Sequence, residues 1–158
     1  MFRERASSHA EQDRQPPAGL IGPALPGAAV ELALYSSVPA GFPSPAEDYV
    51  EGALDVHALL VRRPAATFFC RAQGPSMRDA GIHDGDLLVV DRSLEPLSGD
   101  IVVATIEGGL TVKRLRKTRG GWVLEPANPD FPSIPINPDA GITVWGVVTF
   151  SITGLCAR

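Results

Sequence analysis

Long helical periodicity is absent from this chain, and its punctuation explains why. The sequence carries 15 prolines and 16 glycines in 158 residues, which break it into short apolar runs separated by turns. Short runs with turn residues between them predict strands, so the expected class is mainly β with one or two short helices. A hydrophobic content of 44% suffices for one core, and the length suits a single domain with a tail.

The tail comes first. Residues 1–27 are polar and then Pro/Gly-rich, through Gln15-Pro16-Pro17, Gly22-Pro23 and Leu25-Pro26-Gly27. Such a segment buries too little apolar surface to offset its ordering entropy, and is expected to be flexible. Ala28 to Tyr35 is apolar enough to pair as a strand. In the next stretch Pro39, Pro43 and Pro45 hold the backbone extended, because proline fixes its own φ and biases the preceding residue toward β. Arg3, Arg5 and Val38-Pro39-Ala40 invite comparison with a secretory signal. However, Pro23, Pro26 and Glu31 interrupt its apolar core, and a cytoplasmic protein is expected.

From Tyr49 the composition changes. Tyr49 to Leu54 reads as a strand, Asp55 as the cap of a short helix from Val56 to Val61 that Pro64 stops, and Ala66 to Ala72 as a strand. A short helix is expected from Ser76 to Ala80. Gly85-Asp86 and Gly99-Asp100 each open an apolar run of strand length, with the aspartates closing turns onto nearby backbone. Asp84, Asp86 and Asp91 match no calcium-loop spacing, so no metal is expected. Gly120-Gly121 predicts a hairpin between Leu110–Leu115 and Trp122–Leu124, and Ile142 to Ile152 a last strand. Cys70 and Cys156 lack metal-type spacing and read as buried, reduced thiols. A net charge of −4 argues against non-specific nucleic-acid binding.

Two residues carry the candidate chemistry. Ser76 follows a Gly74-Pro75 break, and Lys113 lies in Leu110-Thr111-Val112-Lys113-Arg114-Leu115. A serine hydroxyl needs a base. His9 lies in the tail and His83 in a turn, neither with an evident orienting carboxylate; with His57 they complete the histidines. The Gly-x-Ser-x-Gly elbow is only half met. A neutral lysine is the other base, and burial is what neutralises it. Strand alternation puts Lys113 on a face with Thr111 and Leu115, and Arg114 and Arg116 on the other. From pattern alone, a solvated basic edge is the favoured reading of Lys113.

The stretch from Ala40 to Val148 resembles the UmuD branch of the LexA/UmuD self-cleaving serine peptidases. The resemblance rests on Ala40-Gly41-Phe42-Pro43-Ser44-Pro45, Asp48-Tyr49-Val50-Glu51, Gly74-Pro75-Ser76-Met77, Gly81-Ile82 and Asp84 to Asp91. It continues through Gly99-Asp100-Ile101-Val102, Thr111-Val112-Lys113, Pro126-Ala127-Asn128-Pro129 and Trp145-Gly146-Val147-Val148. It implies a compact, twisted β fold of the LexA/signal-peptidase type, a homodimer, Ser76 as nucleophile and Lys113 as general base. It implies a cut between Ala40 and Gly41, dividing a flexible arm, 1–40, from a peptidase/polymerase-accessory domain, 41–158. The implied partners are a RecA filament on single-stranded DNA, which promotes the cut, and a Y-family, UmuC-like translesion polymerase, which the product serves as a subunit. No cofactor, membrane or sequence-specific DNA contact is implied.

One position departs from the family pattern. Relatives are thought to hold the oxyanion with N–H groups of the serine and its predecessor, and Pro75 has none. Losing such a donor typically raises a barrier by about 2.7–4 kcal/mol, so slow, assisted self-cleavage is expected. Competing readings are a LexA- or phage-type repressor, which needs a helix-turn-helix that the proline-broken arm does not supply; a signal-peptidase-like membrane enzyme; and a non-catalytic β interaction module. Met77 reads as core or pocket wall, Trp122 and Trp145 as packing, and the Arg114-Arg116-Lys117-Arg119 run as a solvated hairpin or a DNA or polymerase contact.

Overall fold

The computed structural model of the chain describes residues 20–23, 30–35, 50–137 and 141–156. It is mainly β, as expected. The strands are β1 (Leu20–Pro23), β2 (Glu31–Tyr35), β3 (Val50–Asp55), β4 (Thr67–Arg71), β5 (Leu87–Asp91), β6 (Ile101–Ile106), β7 (Gly109–Thr118), β8 (Gly121–Glu125), β9 (Ile134–Pro135) and β10 (Thr143–Ile152). Eight of them form one sheet in the order β1-β4-β5-β10-β6-β7-β8-β9, and β2 pairs with β3 in a separate two-stranded sheet. Every pairing is antiparallel.

The two aspartate turns do the same job. Asp86 Oδ2 accepts the His83 N–H at 2.8 Å and Asp100 Oδ2 accepts the Leu97 N–H at 2.8 Å. Each closes a loop three residues back and releases the chain into a strand, β5 or β6. Along β6 the side chains alternate between two apolar clusters. Val103 joins Phe68, Leu88, Val90 and Trp145, while Val102 and Ala104 join Leu115, Leu124 and Val147. Simple alternation would put Trp145 and Val147 of β10 on one face. A register shift between Val144 and Gly146 separates them. Gly146 permits it, because a Cβ there would lie 2.7 Å from Val90 Cγ1 and 3.3 Å from Asp91 O.

Three expectations need correction. Leu20–Pro23, read as part of a flexible tail, form β1 on the edge of β4. Main-chain pairing with an open edge orders a segment that has little to bury, and an edge strand tolerates Pro23. The helix expected from Ser76 to Ala80 is a 3-10 turn, Arg78–Ala80, ended by Gly81 at φ 75°. The bonds in this stretch close three residues back, from the Arg78, Ala80 and Gly81 N–H groups to the Pro75, Met77 and Arg78 carbonyls, and the left-handed glycine stops the turn before it lengthens. Cys156 is exposed, since the chain has left β10 by then, whereas Cys70 is buried in the core with its thiol pKa pushed up to about 11 by burial. The short helix α1 (Val56–Leu60) is capped as expected: Asp55 Oδ1 accepts the Ala58 N–H at 2.9 Å. Residues 1–19 and the Ala40-Gly41 bond lie outside the described residues.

Candidate active site

Ser76 sits on a turn clamped at both ends. Gly74 takes φ 80°, a left-handed conformation that glycine adopts without penalty. Its N–H donates to Asp84 Oδ1 at 2.7 Å. The Pro75 carbonyl accepts from Asn128 Nδ2 at 2.9 Å and from the Arg78 N–H at 3.2 Å. After the serine, Met77 is buried in the core, and the Asp79 N–H donates to the Ala127 carbonyl at 2.9 Å. Among the described residues the main-chain N–H groups of Ser76 and Met77 have no hydrogen-bond partner.

Lys113 comes from the middle of β7, opposite Val102 of β6. It is 7% exposed. Its Nζ lies 2.9 Å from each of three oxygens: Ser76 Oγ, Thr111 Oγ1 and the Val112 carbonyl. Among the described residues no carboxylate pairs with it. Burial without a counter-charge lowers its pKa from the usual 10.5. The three contacts suit a neutral amine as well as an ammonium. Two N–H groups donate to Thr111 Oγ1 and the Val112 carbonyl, and the lone pair is left facing the Ser76 hydroxyl.

The pair lies at a cleft of about 740 Å³ lined by Ala72, Gly74, Ser76, Ile82, Thr111 and Val112, among others. β8 pairs with β7 only over Arg114–Thr118. On that side, Gly109–Lys113 therefore have no strand partner among the described residues. An open strand edge beside a serine hydroxyl is a place for an extended peptide to lie.

The Peptidase S24-like family model matches residues 33–149. The chain belongs to the Peptidase S24-like family. Protein SamA of Salmonella typhimurium is 51% identical over 111 residues, which are 70% of this chain and 76% of that protein. Protein MucA of Escherichia coli is 52% identical over 116 residues, 73% of this chain and 79% of that protein. The LexA repressor of Paracidovorax citrulli is 40% identical over 116 residues, 73% of this chain but 51% of the repressor. Within the S24-like family these identities set the chain in the UmuD-like branch.

The structure thus brings Ser76 and Lys113 together across 37 residues of sequence. His57 and His83 do not line the cleft, and His9 lies outside the described residues. His83, expected to lack a carboxylate neighbour, has Asp86 Oδ2 3.7 Å from its Nδ1. The loop that folds Asp86 back onto the His83 N–H brings the two side chains close, but neither residue lines the cleft. Asp91, buried, accepts from the Ser93 N–H and Oγ–H and pairs with Arg63 at 3.0 Å. Burial raises its pKa, but these bonds outweigh it and the net shift is downward. Met77 is both core and cleft wall. Trp145 packs edge-on against Phe68 at 5.1 Å, under the Arg92 guanidinium at 4.7 Å. On the basic hairpin Arg116 pairs with Glu125 at 2.9 Å and Lys117 lies over Trp122 at 5.5 Å. Two site residues had no assigned role in the sequence reading. Asn128 lay in a quoted stretch, Pro126 to Pro129, and Thr111 was placed only on the Lys113 face. The i, i+2 spacing of Thr111 and Lys113 was the signal for the latter.

Proposed function

We propose that this chain is a self-cleaving serine endopeptidase in which Ser76 is the nucleophile and Lys113 the general base. The observation that carries this is the 2.9 Å contact between Ser76 Oγ and the buried Lys113 amine. The neutral amine takes the hydroxyl proton as Oγ attacks the Ala40 carbonyl carbon. The oxyanion accepts from the Ser76 N–H, with the unpartnered Met77 N–H beside it in place of the donor that Pro75 lacks. Collapse breaks the Ala40–Gly41 bond, the Lys113 ammonium returns its proton to the Gly41 amine, and water then hydrolyses the Ser76 ester. A small residue followed by glycine lets the backbone approach closely.

Membership of the UmuD-like branch supports the wider role. The cut answers DNA damage with help from a RecA filament on single-stranded DNA. The processed homodimer then serves as an accessory subunit of a UmuC-like, Y-family error-prone polymerase in the cytoplasm. Among the described residues no helix is long and apolar enough to cross a membrane.

The test is incubation of purified protein across neutral to alkaline pH, with and without an activated RecA filament, read by mass spectrometry. Fragments 1–40 and 41–158 are expected. Their rate of formation should rise with pH as Lys113 loses its proton, then level off. Ser76→Ala, Lys113→Ala and Lys113→Arg should each stop the cut, the last because arginine keeps its proton. Cleavage surviving in any of them removes the mechanism.

A further inference from the structure

Asn128 is 3% exposed, and both ends of its amide are used. Nδ2 donates to the Pro75 carbonyl at 2.9 Å and Oδ1 accepts the Asp130 N–H at 3.0 Å. The second bond, with the Phe131 N–H donating to the Asn128 carbonyl at 3.2 Å, builds the loop after β8. The first reaches across 53 residues to the turn that carries Ser76. A side chain that merely filled space there would need no donor aimed at a carbonyl.

The bond matters because of which carbonyl it holds. Pro75 C=O and Ser76 N–H are opposite edges of one planar trans peptide. Pinning the carbonyl on the Asn128 side turns the N–H the opposite way, and that N–H has no protein partner among the described residues. Proline cannot brace the turn through a main-chain N–H of its own, so the bracing falls on its carbonyl. We infer that Asn128 is a positioning residue that orients the Ser76 N–H toward the oxyanion by fixing the 75–76 peptide plane from behind. This rests on the serine-peptidase reading above, and its test separates the two.

Asn128→Asp keeps size and the Oδ1 bond but replaces the donor with a carboxylate that repels the Pro75 oxygen. Asn128→Ala removes the donor outright. Full-length protein of each is followed for self-cleavage across neutral to alkaline pH, alongside the ¹⁵N–¹H spectrum and amide exchange of Ser76 in a Ser76-preserving, uncut sample. Removing an oxyanion donor costs roughly 10²–10³-fold, so loosening one should lower the alkaline plateau by about 10–100-fold. In Asn128→Ala, which adds no charge, the pH midpoint should stay in place, because Asn128 makes no contact with Lys113. The Ser76 amide should shift and exchange faster than in wild type. Wild-type plateau rates in folded Asn128→Asp overturn the inference, as does a midpoint that moves with the rate in Asn128→Ala. If the wild type makes no cut at all, the peptidase reading fails instead. The Ser76 amide then still decides whether Asn128 sets the plane: an unchanged amide sinks the inference, and a changed one retains its structural part.

Discussion

Lys113 and Lys117 stand on the same strand, four residues apart, with the same parity along β7. One is buried against Ser76 with no counter-charge among the described residues, and the other is exposed over the face of Trp122. Residue type and strand alternation are identical for the two, so neither explains the difference. Position along the strand does. At Lys113 the Ser76 turn, itself tied to the loop after β8, meets the strand, while at Lys117 the hairpin with β8 is exposed. The same side chain is a buried amine within reach of a serine hydroxyl in one setting and an exposed, ring-stacking cation in the other.

The largest expected effect breaks the pair apart by function. Lys113→Ala should slow self-cleavage by at least the ~10²–10⁴-fold usual for loss of a general base, while Lys117→Ala should cut at the wild-type rate in the same gel or mass-spectrometric assay. Equal losses at the two positions would show that Lys113 contributes only charge. Next comes the hydroxyl that accepts from Lys113. Thr111→Val deletes one Nζ partner at 2.9 Å. A net hydrogen bond is worth about 0.5–1.5 kcal/mol, so the alkaline plateau should fall by up to roughly 10-fold.

A pH series of denaturant melts sharpens the comparison on the stability side. With its folded pKa below the ordinary 10.5, Lys113 binds fewer protons folded than unfolded between those two values. Stability therefore rises with pH through that window. Below it, both states are charged and the full cost of burying the cation is present. Lys113→Met should therefore be more stable than wild type at neutral pH, and its advantage should shrink as pH climbs to 10.5. An advantage that stays constant with pH would mean the gain is packing. The smallest effect belongs to Lys117→Ala, whose lost contact with Trp122 should lower stability by about 0.5–1 kcal/mol, and less if solvent already competes for the amine.

Reading β7 from the sequence reached part of this. Alternation put Lys113 with Thr111 and Leu115, and the structure agrees: Lys113 bonds to Thr111 and lies beside a buried Leu115. Depth was not legible, because it depends on what covers the strand. The Asp86 and Asp100 turns were readable, since their bonds close within three residues. Trp145 and Val147 were not, since their separation depends on a register shift against β6, at a position where Val90 leaves room only for a glycine. The same limit applied to β1. Leu20–Pro23 have no local reason to be ordered, and their strand exists only because β4 presents an edge.

Local chemistry, then, was decided by the amino acids themselves: short strands from frequent Gly and Pro, aspartate-closed turns, a serine behind a Gly-Pro break, and a lysine on a half-buried strand. The tertiary structure alone decided that this lysine meets that serine, and that Asn128, far along the chain, grips the peptide just before it. The physical reason is range. Turn closure and alternation act over a few bonds and are written in neighbouring residues. Desolvation of an amine and the aim of an amide depend on every segment that packs around them.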